Sequence, residues 1–207
     1  MKVLPFKIPK PEKEALVYQE DHEIIFYDKL HQHEEIQISY IMEGSGSLIV
    51  GDSINEYQPH DILIIGENIP HVFRSDAEAH PNSIMYTLFF TKKSFGKEFF
   101  NLTDLSGIQK FFDESEYGMK IKADEKKFHL FNNLKRQSKI ERVATLLLLL
   151  NELTHAERQP LSSFVYQKKY TEDEGKRMND VFQYAMDNFQ DLSLIHISEP
   201  TRRTPTS

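Results

Sequence analysis

Cysteine and tryptophan are both absent from this 207-residue chain. Without cysteine there is neither a disulfide framework nor a thiolate metal site, and nothing points to an oxidising compartment. Long apolar runs are missing too. The longest, Val143 to Leu150, contains a threonine and falls far short of the roughly 18 residues that span a bilayer. The N-terminal stretch MKVLPFKIPKPEKEALVY is broken by prolines and charges where a signal peptide needs an apolar core. A cytoplasmic location with no membrane contact is therefore expected. Positive charge is scarce: 25 lysines and arginines face 32 acidic residues, a net charge of −7. A free-standing nucleic-acid binder carries a basic face, and this composition argues against one.

What is present begins with β structure. Ile24 to Tyr27, Glu35 to Met42, Ser47 to Val50, Asp61 to Ile65, His71 to Arg74 and Ser83 to Phe90 are short and rich in β-branched or aromatic residues. Turn signals separate them at Gly44-Ser45-Gly46, Gly51-Asp52, Gln58-Pro59-His60 and Asp76 to Asn82. Many short strands at close spacing predict an antiparallel sandwich or barrel rather than βαβ units. The fold class is mainly β with C-terminal α.

The hydrophobic period then changes to that of helices. Leu105 to Phe112 carries an apolar stripe that Gly118 would end. Glu125 to Arg136, with Asp124 as N-cap, places Phe128, Phe131 and Leu134 on one face. Ser138 to Glu141 has the form of a capping box opening a third helix through Ile140, Val143, Leu147 and Leu150. Further leucines make that helix apolar nearly all round, so it is either buried within the protomer or buried between two subunits of a homodimer. Residues 159–175 read as a polar linker. Residues 176–191 form a last amphipathic helix whose stripe, Met178, Val181, Phe182, Ala185, Met186 and Phe189, needs a partner surface.

The chemistry is concentrated between His31 and Asp76. His31-x-His33 lies on a predicted strand, and alternation along it puts His31, His33, Glu35, Gln37 and Ser39 on one side. His71 follows in a Pro-His step. A barrel interior lined this way is polar, unlike a purely structural core. Three readings stay open: polar lining of a small-molecule pocket, histidines hydrogen-bonded for structure, or a metal site of His31, His33 and His71 or of His33, Glu35 and His71. No nucleophile elbow or phosphate loop is present, because Gly44-Ser45-Gly46 sits between strands rather than opening a helix.

The spacing from His31 and His33 through Gln37 and Gly44 to Pro59, Pro70 and His71 resembles the two motifs of the cupin superfamily. The finer pattern, EGSGSLIVGDSINEYQPHDILIIGENIPHVFRSD with the GMKI stretch and the Leu-rich helix after it, resembles the sensor domain of AraC-family transcription regulators across about residues 1–191. The resemblance implies a cupin barrel (a jelly roll, or double-stranded β-helix) over residues 1–100 and a helical dimerisation segment over 101–158. It further implies that 176–191 begin a helix-turn-helix domain, so that DNA is gripped only through sequence beyond Asp191. On this reading a small-molecule effector, a sugar or another polar metabolite, binds His31, His33, Gln37 and His71 with no resident cofactor. Two positions depart from the pattern. Gln37 stands where metal-binding cupins place a glutamate, and His60 stands where a glycine is usual after Pro59. A small metal-dependent cupin isomerase or dioxygenase is the alternative. Residues 192–207, beginning LSLIHISEPTR, match the translation of a transposase end joined to a sequencing adapter and are expected to be read-through rather than native sequence.

Overall fold

The computed structural model describes residues 14–163, together with the two-residue strand Leu4–Pro5 and Val165. The expected helix 176–191, most of the linker 159–175 and the segment 192–207 lie outside the described residues. In chain order the strands are β1 (Leu4–Pro5), β2 (Val17–Glu23), β3 (His31–Gln32), β4 (Ile36–Glu43), β5 (Gly46–Val50) and β6 (Ser53–Tyr57). They continue as β7 (Asp61–Ile65), β8 (His71–Ser75), β9 (Ser83–Phe90), β10 (Met119–Lys122) and β11 (Gln159–Pro160). One sheet has the order β1-β3-β8-β5-β6 and the other β11-β10-β7-β4-β9-β2. Apart from the short parallel pair β1–β3, the paired strands are antiparallel.

Alternation along the six-stranded sheet sorts its residues between two cores. On one face, Ile36, Ile38, Tyr40, Ile62, Ile64, Leu88 and Phe90 pack with the helices. On the other, Ile41, Leu63, Ile65 and Met85 meet Leu48, Val50 and Phe73 of the facing sheet. Gln37, Ser39 and Thr87 share the inward parity of that second face, at one end of the sandwich, and all three are buried.

Three helices cover the outer face of the six-stranded sheet: α1 (Gln109–Ser115), α2 (Glu125–Asn133) and α3 (Lys139–His155). Asp124 caps α2 by accepting the Lys127 backbone N–H at 2.9 Å. Ser138 and Glu141 close a reciprocal capping box on α3, as the sequence predicts. The two expected helices before α3 are shorter than anticipated. Residues Thr103–Ile108 and Leu134–Arg136 tighten into 3-10 turns that flank α1 and α2. Leu146, Leu149, Leu150 and Leu153 are fully buried within the protomer, whereas Ile140 is 78% exposed and Leu148 57%. Leu150 thus belongs to the internal core, apart from Ile140, Val143 and Leu147 on the more open side.

Several strand boundaries differ from the sequence reading. Ile24 to Tyr27 is not a strand; the chain bends there, leaving Ile24 and Ile25 exposed after β2 has ended at Glu23. The first long strand is instead the polar β2, which among the described residues is an edge strand paired with β9 alone. The expected strand from Glu35 begins at Ile36, and a bend at Glu34 and Glu35 separates it from β3. His60 takes a left-handed conformation at φ +69°, the geometry that makes glycine usual at this turn. Its ring nitrogen lies 2.6 Å from the Tyr40 hydroxyl, a contact glycine could not supply.

At the far end, the hairpin turn between β5 and β6 holds the exit of the described chain. Asp52 accepts hydrogen bonds from the Ser162 hydroxyl at 2.9 Å, the Ser163 backbone N–H at 3.0 Å and the Ser163 hydroxyl. Burial pushes the Asp52 carboxyl up, but these bonds and one from Ser53 outweigh it and hold the group well below the usual carboxylate range.

Candidate functional site: a histidine cluster between the two sheets

The short pairing of β3 with β8 sets His31 directly opposite His71, and β8 is held on its other side by Val50 of β5. His33 follows the end of β3. Its carbonyl accepts the Asn68 backbone N–H at 2.8 Å, which ties the loop before His71 to the same corner. The ring centroids of His31 and His71 are 4.1 Å apart, and those of His33 and His71 are 5.1 Å apart. Gln37 on β4 reaches across from the other sheet to His33. His31, His33, Gln37 and His71, all expected as site residues, therefore occupy one place, each at most 6% exposed. Glu35 contributes only its backbone carbonyl, to His33, and stands outside the cluster of ligand atoms. The bend at Glu34 and Glu35 breaks the alternation that would have aligned it.

Each imidazole is oriented by its own local chain. Nδ1 of His31 lies 2.8 Å from the Lys29 carbonyl, that of His33 2.9 Å from the Glu35 carbonyl, and that of His71 2.8 Å from the Ile69 carbonyl. A carbonyl only accepts, so each Nδ1 carries a proton, and neutral His31 and His71 keep their lone pair on Nε2. Burial pushes His31 down to about 4 and His33 below its ordinary value. His71, fully buried and beside two other imidazoles, is driven well below its ordinary value. The three rings are neutral near pH 7.

A hydrogen-bond chain runs behind the rings. Oε1 of Gln37 lies 3.1 Å from Nε2 of His33, and the Gln37 amide N–H donates to the Ser39 hydroxyl at 2.8 Å. The Ser39 and Thr87 hydroxyls meet at 2.9 Å. The Nε2 atom of His71 is buried without a hydrogen-bond partner among the described residues. That atom is a cost in a purely structural core and an asset in a site.

In front of His31 and Gln37 opens a cavity of about 70 Å³. Phe26, Phe73, Met85 and Phe89 supply its apolar wall, and Gln19, Asp21 and Glu23 line it from β2. These three polar residues were not anticipated from sequence. The signal was available in the alternation Val17-Gln19-Asp21-Glu23, which places the polar side chains on the face that β2 turns toward Thr87 and Met85 of β9.

Residues 15–92, the segment that contains this site, match the AraC-like ligand binding domain family. No curated protein matches the chain. Among solved structures, ToxT from Vibrio cholerae O395, bound to a naphthalenyl butenoic acid, is 10% identical with a TM-score of 0.46 over 91% of this chain and 68% of its own. The AraC-like transcriptional activator CuxR is also 10% identical, with a TM-score of 0.42 over 76% of this chain and 52% of its own. A cupin 2 conserved barrel domain protein from Rhodopseudomonas palustris is 19% identical, with a TM-score of 0.33 over 40% of this chain; the chain spans 57% of that protein. With TM-scores below 0.5, these likenesses carry no functional weight beside the matched segment. The segment that matches the AraC-like ligand binding domain holds strands β2 to β9 and the whole histidine cluster.

Proposed function

We propose that this chain is the ligand-sensing and dimerising part of a DNA-binding transcription regulator, with a small molecule bound at the end of the barrel between the two sheets. The observation that carries the proposal is the convergence of His31, His33, Gln37 and His71 beside a cavity within the AraC-like segment. Neutral imidazoles, an amide and two hydroxyls offer directional hydrogen bonds while the aromatic wall supplies apolar contact, the usual make-up of a small-molecule site. Occupancy would bias how the sensor packs against a second copy along α3 and against a DNA-binding domain that follows it in the intact regulator. DNA contact belongs to that following domain, consistent with the net charge of −7.

Replacing His31 and Gln37 together by alanine is expected to leave the fold intact and abolish stabilisation by the effector. A thermal-shift screen of sugars, organic acids and amines checks this. A hit on the parent protein that shifts the double variant equally would contradict the pocket assignment.

A second reading has its own support. The three imidazoles place ligand atoms within 4.8 Å of one another, and the partnerless Nε2 of His71 is among the cluster's nitrogens. They fit a first-row divalent cation, with each Nδ1 already pinned to a carbonyl as metal-bound histidines require. His31, His33 and His71 would hold such an ion, which would supply Lewis acidity. Gln37 weighs against it, since a neutral amide replaces a charged ligand and its Oε1 already lies against Nε2 of His33. Metal analysis separates the readings: stoichiometric iron, manganese or zinc that disappears in His33→Ala favours the metal-dependent enzyme, and metal-free protein favours the sensor.

A further inference from the structure

We propose that the effector is a small organic cation, an alkyl- or arylammonium whose charged head sits against Asp21 and Glu23; this rests on the sensor reading above and names its ligand class. The cavity beside His31 and Gln37 has carboxylates on β2 and, among the described residues, neither lysine nor arginine in its lining. An anionic ligand would meet two like charges with no cation among the described lining residues to offset them.

Asp21 is built into this position. Its carboxylate accepts the Gln19 side-chain N–H at 2.7 Å, and burial pushes its proton affinity up, so a cation arriving here relieves a desolvated charge. Phe26, Tyr27 and Phe89 present ring faces or edges around the same space, and aromatic rings beside carboxylates attract ammonium groups. Tyr27 stands edge-on to His31 at 4.9 Å, and Phe89 edge-on to His33 at 5.5 Å. Beside His31, which lines the cavity, Nε2 of fully buried His71 has no hydrogen-bond partner among the described residues.

Size and polarity separate an ammonium from a sugar. About 70 Å³ lies far below the roughly 300–1,000 Å³ of pockets that enclose a drug-sized ligand. A pyranose would also set several hydroxyls against the apolar side formed by Phe73, Met85 and Phe89, where they find no partner. A single charged head with an apolar tail fits both faces of the cavity.

The test is calorimetric titration of the full chain with n-butylammonium, its anionic counterpart butyrate and the neutral tetrol erythritol. Each is repeated on Asp21→Asn, which keeps the shape and the Gln19 contact, and on Gln37→Ala. Butylammonium is expected to bind, to weaken about tenfold in Asp21→Asn, and to surpass butyrate at least tenfold. Butyrate or erythritol binding as strongly, in a manner sensitive to Gln37→Ala, would overturn the cation while leaving the sensor reading in place. Binding by none of the three would overturn the cation, and binding indifferent to both substitutions would overturn the cation and the pocket together.

Discussion

Lowering the pH from 7.5 to 4.5 is expected to destabilise the fold by several kcal/mol, before the acidic hydrogen bonds at Asp52 begin to fail. Histidine in an unfolded chain titrates near 6.5, whereas burial holds His31 at about 4 and depresses His33 and His71. Between these values the unfolded state binds more protons than the folded one, so unfolding becomes easier as pH falls. The stabilisation from keeping these rings neutral is complete above about pH 6.5 and is lost on the way to the folded values. For His31 alone, a difference of about 2.5 units corresponds to roughly 3 kcal/mol. Asp21, whose affinity for protons burial raises, works in the opposite sense and offsets part of the loss only in the carboxylate range. Asp52 adds its own loss at lower pH, below the histidine window. Urea unfolding at half-unit pH steps measures the slope, and His71→Gln should flatten it between pH 6.5 and 4.5. A flat profile in the parent protein would mean that the three rings are charged or solvated.

Replacing Leu150 by alanine is expected to cost about 2–5 kcal/mol, the range for emptying a buried leucine site. The residue is fully buried between α3 and the six-stranded sheet, where the helices and the sheet leave little room for collapse. Ile140→Asp, one helix face away, should cost little in the isolated protomer because Ile140 is 78% exposed. Its effect is expected in assembly instead. A charge placed among Ile140, Val143 and Leu147 would shift sedimentation from dimer to monomer if that side of α3 meets a second copy. Equal sedimentation of parent and Ile140→Asp would move the subunit interface elsewhere. The contrast between the two substitutions separates what α3 does for the fold from what it does for a partner.

The ease with which these elements could be read from sequence follows their surroundings. β7 and β9 have the bounds their apolar pattern predicts, since central strands covered on both faces read as dense runs of large apolar residues. The caps of α2 and α3 were equally legible because a cap depends on local chemistry alone. β2 was obscured by its role. An edge strand that lines a polar cavity with Gln19, Asp21 and Glu23 lacks the hydrophobic signature, and the apolar run just after it, Ile24 to Tyr27, took its place in the reading. β6 is hard to read because its alternation is inverted beside a turn signal, with polar Ser53 and Asn55 half-buried and Ile54 exposed. The histidine cluster was legible through spacing, but the protonation of its rings and the direction of the Gln37 hydrogen-bond chain were not. Those depend on which carbonyls lie opposite each Nδ1, a fact of tertiary placement.

Ligand sensing by this protein requires that the neutral cluster at His31, His33 and His71 be the face that meets ligand. Nitrogen-15 NMR of the imidazoles at pH 7 tests this directly, recorded before and after addition of a small-molecule fragment library of mixed charge. Three neutral rings protonated at Nδ1 are expected, with Nε2 resonances of His33 or His71 and the Gln37 side-chain amide moving when a fragment binds. Protonated rings in the free protein, or fragments that bind while leaving these four side chains unmoved, would contradict it.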